Sequence, residues 1–142
     1  MAKLFSYGIC LYKIEEEEIL IYLNKTSSIS DWNFFKGKME DNETFEETAI
    51  REMFEETNIL VRKNQLEDLF EQINKKKNLG VYLVDFNVIN FKNLKLDKKE
   101  IFEGKWLNIK EDIIVSKNQI KIFNKLTTCL FKKYNYIKYI KI

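Results

Sequence analysis

The chain of 142 residues is 45% hydrophobic, enough for one domain with a packed core and too apolar for disorder. Histidine is absent, which excludes a Ser-His-Asp triad, a Cys-His pair and a His-ligated zinc site, and leaves carboxylate oxygens suited to magnesium, manganese or calcium. The net charge of +2 conceals a gradient: residues 1–60 carry 6 basic and 13 acidic side chains, whereas residues 117–142 carry 7 lysines and no acid, which means either a cation-seeking front and an anion-seeking tail or drift in a lysine-rich composition.

Leu4 to Ile14 is rich in aromatic and β-branched residues and reads as a strand. Glu15 to Glu18 form an acidic turn, and Ile19 to Leu23 read as a second strand, so the two make a hairpin. Thr26 to Asp31 is a polar loop. Trp32-Asn33-Phe34-Phe35 reads as a strand end, and Lys36-Gly37-Lys38 opens a loop that runs to about Glu43. Thr44 to Asn58 reads as a helix. Thr44 and Glu47 have capping-box spacing, and Phe45, Ala49, Met53 and Thr57 give an apolar face widened by Ile50 and Phe54. Asn58 tolerates the left-handed conformation that ends a helix. Strands follow near 66–73, 79–91 and 100–108, with Lys75 to Asn78 as the turn between the first two. Ile120, Phe123, Leu126, Leu130 and Tyr134 predict a second helix over 117–134. Strands around a central helix, with a helix at the end, predict a mixed sheet between helices in a single domain over residues 1–142. Cys10 and Cys129 sit in no CxxC pair and read as small buried apolar residues. No apolar run approaches the ~20 residues of a membrane helix. Met1 to Ser6 has no signal-peptide character, so a cytoplasmic location is expected.

The polar face of the first helix carries Glu52, Glu55 and Glu56 within an arc of roughly 100°. Their repulsion destabilises a helix by a few tenths of a kcal/mol. A divalent cation would offset it, and magnesium completes its shell from water and phosphates, which implies a phosphorylated substrate. The alternative is a solvated charged face supported by Glu47–Arg51 and Arg51–Glu55 pairs. The register around these residues adds more. Gly37, five residues, Glu43, seven residues, Arg51-Glu52-Met53-Phe54-Glu55-Glu56-Thr57-Asn58-Ile59 resembles the Nudix signature, matching eight of its nine specified positions. Asn58 stands where that pattern has glycine. Trp32 to Lys38 resembles the Trp-x-Phe-Pro-Lys-Gly-Lys segment of the dinucleoside polyphosphate and messenger-RNA decapping branches, with Phe35 in place of proline. Glu100 to Leu107 resembles the family's late strand, and the resemblance covers roughly residues 4 to 110.

The resemblance implies an α/β/α sandwich of mixed α+β type. It also implies a magnesium-dependent hydrolase, with manganese as a substitute, that cleaves a pyrophosphate linkage in a nucleoside diphosphate derivative such as a dinucleoside polyphosphate. By the same resemblance Glu52, Glu55, Glu56 and the Gly37 carbonyl hold the metal, and Glu55 or Glu56 activates the attacking water. Glu100 and Glu103 are further candidates for that base and for substrate contact; Arg51 orients a carboxylate, and Glu43 braces the loop. Lys36 or Lys38 is a candidate phosphate contact. Tyr7, Trp32, Phe34, Phe35 and Tyr82 are rings available to stack on a base, while Trp106 reads as core. Two other readings stay open. One is RNA 5′-end pyrophosphohydrolysis, with RNA drawn to the lysine tail and to Tyr134, Tyr136 and Tyr139. The other is a domain that binds a nucleotide without cutting it. Neither DNA nor a membrane is an expected partner, and the chain is expected as a monomer or homodimer.

Overall fold

Alternation along the strands lets one sheet carry two cores. The computed structural model describes residues 2–140, with side chains described through Asn135. Its elements in chain order are β1 (Leu4–Glu15), β2 (Glu18–Lys25), β3 (Phe35–Lys38), α1 (Phe45–Thr57), β4 (Leu69–Ile73), β5 (Lys77–Asp85), β6 (Glu103–Asn108) and α2 (Ile120–Ile140). Ile19, Ile21 and Leu23 of β2, with Leu79, Val81 and Leu83 of β5, share one face with Ile122, Leu126 and Leu130 of α2. Tyr7, Ile9 and Leu11 of β1, with Tyr82 and Val84 of β5, share the other with Ala49 and Met53 of α1. The sheet therefore lies between the two helices, as the sequence predicts. Trp106 packs against the α1-side core, Cys10 is fully buried, and Cys129 is only partly buried.

The strand order is β4-β5-β1-β2-β6, with β3 also paired to β1. β1 and β5 are parallel, and every other pair is antiparallel, so the sheet is mixed. One edge of β1 is divided. Ser6 to Ile9 pair with β3, and Tyr12 to Glu15 pair with β2. This division corrects one expectation: Lys36-Gly37-Lys38 is strand, not loop, because its backbone is hydrogen-bonded across to β1. The other differences are at boundaries. The hairpin turn narrows to Glu16 and Glu17, both at positive φ. Asn74, rather than Lys75, starts the next turn, its Oδ1 accepting from Lys76 and Lys77 N–H at 3.0 and 2.8 Å. β5 ends at Asp85, which caps a short 3₁₀ turn over Phe86–Val88, so residues 86–91 are not strand. β6 starts at Glu103 because residues 97–101 close into a turn on the Asp97 carbonyl, and only from Phe102, which bonds to Lys25 of β2, does the chain join the sheet. Among the described residues, no helix is long and apolar enough to cross a membrane.

Candidate active site

α1 is fixed at its start by the predicted capping box. Thr44 Oγ1 accepts from Glu47 N–H at 3.1 Å, and Glu47 Oε1 accepts from Thr44 N–H at 2.9 Å. Such a cap contributes about 1 kcal/mol. The helical period then decides which acids go inside. The buried stripe is Thr48, Ala49, Glu52, Met53, Glu56 and Thr57, so two carboxylates ride on the apolar face. Glu52 and Glu56 are 9% and 5% exposed, whereas Glu55 points outward.

Glu52 lies against the backbone of β3. A Cβ added to Gly37 would fall on the Glu52 carboxylate, so only glycine leaves room for it there. Arg51 holds the cluster from outside. Its Nη1 donates to Glu52 Oε1 at 2.9 Å and to Glu55 Oε1 at 3.1 Å. Its Nε and Nη2 donate to both oxygens of Glu43 at 2.6 and 3.0 Å, and Nη2 also donates to the Lys38 carbonyl at 2.9 Å. Glu43 Oε1 accepts further from Glu40 N–H at 2.8 Å and from the Thr48 hydroxyl at 2.9 Å. The Arg51 fork thus joins the loop before α1, the end of β3 and the glutamates of the helix. Its hydrogen bonds lower the Glu43 carboxyl to about 2.

Glu56 has no such partner. Its Oε1 is buried and without a hydrogen bond among the described residues. Burial first, then the nearby Glu52 and Glu100 carboxylates, pushes its carboxyl up to about 9. Burial likewise raises Glu52, against the pull of Arg51. Glu56 lines a cavity of about 320 Å³ with Lys36, Glu100, Ile101, Phe34, Asn33, Asn24 and Thr26. Burial lowers the Lys36 ammonium, and the neighbouring Glu56 and Glu52 partly restore it.

Of the candidates named from sequence, Lys36, Phe34, Glu56 and Glu100 meet in this cavity, while Glu52, Glu55, Arg51, Glu43 and Gly37 form the adjoining cluster. Lys38 and Glu103 do not line it. The Lys38 side chain borders a separate hollow with Lys3, Phe5 and Asp41, and Glu103 is exposed on β6 beside Lys25. Phe34 is 2% exposed and belongs to the core beneath α2, so it offers no open ring to a base. Phe35, Tyr7 and Tyr82 are core residues on the α1 side, and Lys25 covers the Trp32 ring at 4.9 Å. The sequence reading missed Asn24, Asn33, Thr26 and Ile101. Only one hint was available to find them: Asn24 continues the β2 alternation onto the α1 face, two residues after Tyr22. Gln119 secures this wall, its Oε1 accepting from Phe34 N–H at 2.9 Å and its Nε2 donating to Asn33 Oδ1 at 3.1 Å. The side chains of Tyr136 and Tyr139 lie outside the described residues.

The donor set suits a hard divalent cation. It consists of carboxylate oxygens, one of them buried and unpartnered, next to a glycine whose missing Cβ keeps main chain close to Glu52. Among the described residues no three acids already enclose an ion by themselves. Magnesium, which takes much of its shell from water and phosphate, needs no such cage.

The model of the NUDIX domain matches residues 5–125. Among solved structures, a C. elegans Ap4A hydrolase in a binary complex is 21% identical at a TM-score of 0.68, over 91% of this chain and 98% of that one. The NUDIX domain of Shewanella oneidensis NrtR, complexed with ADP ribose, is 12% identical at 0.70, over 92% and 90%. A Nudix hydrolase from M. smegmatis, RenU, is 13% identical at 0.67, over 89% and 86%. Comparison with curated proteins gave no match. Likeness at these identities speaks for the fold; it is the match across residues 5–125 that assigns the chain to the Nudix family of hydrolases.

Proposed function

We propose that the chain hydrolyses the pyrophosphate linkage of a nucleoside diphosphate derivative, with dinucleoside polyphosphates as the substrate class. Glu52, Glu55, Glu56 and the Gly37 carbonyl would hold magnesium, or manganese in its place. The observation that carries this reading is Glu56. A buried carboxyl with an unpartnered oxygen is stable only as a neutral acid or as a cation ligand, and this one shares its cavity with Lys36. When bound, the cation neutralises phosphate charge and polarises phosphorus. Lys36 supplies a fixed positive charge for a phosphate oxygen, and Arg51 holds Glu52 and Glu55 in place. Glu55 or Glu56 would take the proton of the attacking water, with Glu100 on the cavity wall as the alternative base. Ap4A and ADP ribose, named for two of the similar structures, both contain a phosphoanhydride linked to a nucleoside, which fits this substrate class.

The test is a panel of diadenosine polyphosphates, ADP-ribose, nucleoside triphosphates, sugar nucleotides and triphosphorylated RNA, assayed with magnesium and with products identified. Glu56→Gln is expected to abolish turnover while the far-ultraviolet circular dichroism stays native. Full activity in that variant would overturn the metal site. Calorimetric binding without turnover would make the domain a nucleotide binder. One observation favours RNA as a second reading. The 3₁₀ turn Lys117–Gln119 that leads into α2 touches the cavity wall through Gln119, and Lys117 in that turn and Lys121, Lys125 and Lys132 along α2 are exposed with no ion pair among the described residues. RNA affinity that falls steeply with salt would support that reading; salt-independent binding would remove it.

A further inference from the structure

Asn58 occupies the position after α1 where the family pattern has glycine, and its backbone is left-handed, at φ 66° and ψ 16°. Glycine would fill this conformation with less strain, so the cap alone gives no reason for a side chain. The side chain makes a contact that glycine cannot: Asn58 Nδ2 donates to the Asn93 carbonyl at 3.1 Å, across 35 residues. Two main-chain bonds continue the same seam. Lys95 N–H donates to the Thr57 carbonyl at 3.0 Å, and Asp97 N–H donates to the carbonyl of Glu56 itself at 2.9 Å. From Asp97 the chain closes into a tight turn, its carbonyl accepting from Glu100 N–H at 3.1 Å and from Ile101 N–H at 2.8 Å, and its Oδ1 accepting from Lys99 N–H at 3.1 Å. That turn sets Glu100 and Ile101 into the cavity wall opposite Glu56. Phe102 N–H then bonds to the Lys25 carbonyl at 2.8 Å and leads into β6.

The segment 92–102 contains no helix or strand, so no ladder of its own holds it in place. Its position relative to Glu56 rests on the seam with the end of α1 together with the buried Ile101, Leu96 packed against the same core, and the Phe102 bond to Lys25; Asn58 supplies the only side-chain bond in that seam among the described residues. We propose that Asn58 is a positioning residue: it staples the Glu100 segment to the end of the glutamate helix and so sets the distance between Glu100 and Glu56 in the cavity. This rests on the hydrolase reading above for its catalytic consequence, but not for the staple itself.

The test uses Asn58→Gly and Asn58→Asp in the full chain. Glycine keeps the left-handed backbone, and aspartate keeps the shape but donates no hydrogen bond. A purely structural cap predicts that Asn58→Gly is neutral or stabilising and fully active. A staple predicts a different pattern: an unchanged or higher melting temperature in Asn58→Gly, and in both variants faster amide hydrogen exchange at Lys95 and Asp97 and kcat lower by about tenfold or more with KM changed less, since misplacement near 1 Å costs up to about a hundredfold. Wild-type exchange at these amides in both variants would overturn the staple. Faster exchange with unchanged kcat would overturn the positioning role. If the wild type turned over no substrate, faster exchange in both variants would still establish the staple, and only the hydrolase reading would fall.

Discussion

The carboxylate of Glu52 occupies the space where a side chain on Gly37 would begin. A side chain added at Gly37 would therefore have to push that carboxylate aside. Gly37→Ala is expected to keep the sheet, since the nearest atoms an added Cβ would meet belong to the Glu52 carboxylate and not to backbone, but to displace that carboxylate. Turnover should fall by about a hundredfold, the scale of a displacement near 1 Å. Steady-state kinetics alongside circular dichroism checks this; wild-type kcat in a folded Gly37→Ala protein would remove Glu52 from the site.

Glu56 should couple folding to proton uptake. Its carboxyl is raised to about 9 in the folded chain, against about 4.3 when unfolded. The stability associated with its protonated form is complete below about pH 4.3 and is lost as pH rises through 9. Relative to wild type, Glu56→Gln should therefore gain stability steadily from pH 5 to pH 9, read as a difference in melting temperature. Magnesium replaces the proton, so its stabilisation of the wild type should grow over the same range and be weak in Glu56→Gln. Parallel melting curves for the two proteins across this window would contradict the assignment.

Arg51 and Glu43 act in the opposite sense. Glu43 is held at about 2 by the Arg51 fork, so the stability it contributes is complete above about pH 4.3 and is lost as pH falls through 2. Arg51→Lys cannot reproduce the two-pronged bond to Glu43 together with the bonds to Glu52 and the Lys38 carbonyl. It should destabilise the protein by about 1–3 kcal/mol in denaturant titration, as expected for hydrogen bonds to charged groups. It should also slow turnover, because Glu52 and Glu55 lose their shared donor.

The first helix and its glutamates were legible because their signals are local. A capping box, an i, i+4 apolar face and charges in register all lie within Gly37 to Ile59, and the structure returns α1 with both cap bonds. The sandwich was legible too, since β2 and β5 alternate cleanly between the two cores. What local pattern could not show was pairing at a distance. Lys36-Gly37-Lys38 resembles a loop in isolation and becomes strand only because β1 lies beside it. Phe34 and Phe35 are equivalent as letters, yet they point to opposite sides of the sheet. Asn24 and Asn33 became cavity walls through a bridge between the end of β2 and the segment before β3, which composition does not encode.

The β1–β2 turn should be improvable. Glu16 and Glu17 sit at φ 50° and 66°, a two-residue turn that favours asparagine followed by glycine. Replacing both as Glu16→Asn and Glu17→Gly should stabilise the protein by about 1 kcal/mol or more, since left-handed non-glycine residues cost of that order each. Thermal melts check the gain, and turnover should not change, because neither residue lines the cavity.

The divided edge of β1 also bears on how the chain reaches this state. Residues 4–12 pair on one side with residues 77–85, so nothing made earlier can cover that side of the strand. Folding that depends on such distant pairing belongs to the slow, millisecond-to-second class. A nascent chain would carry β1, β2 and β3 already joined along one edge while the other stayed open until Asp85 had left the ribosome. The strand that organises the Gly37 side of the site is therefore also a segment exposed to mispairing during synthesis.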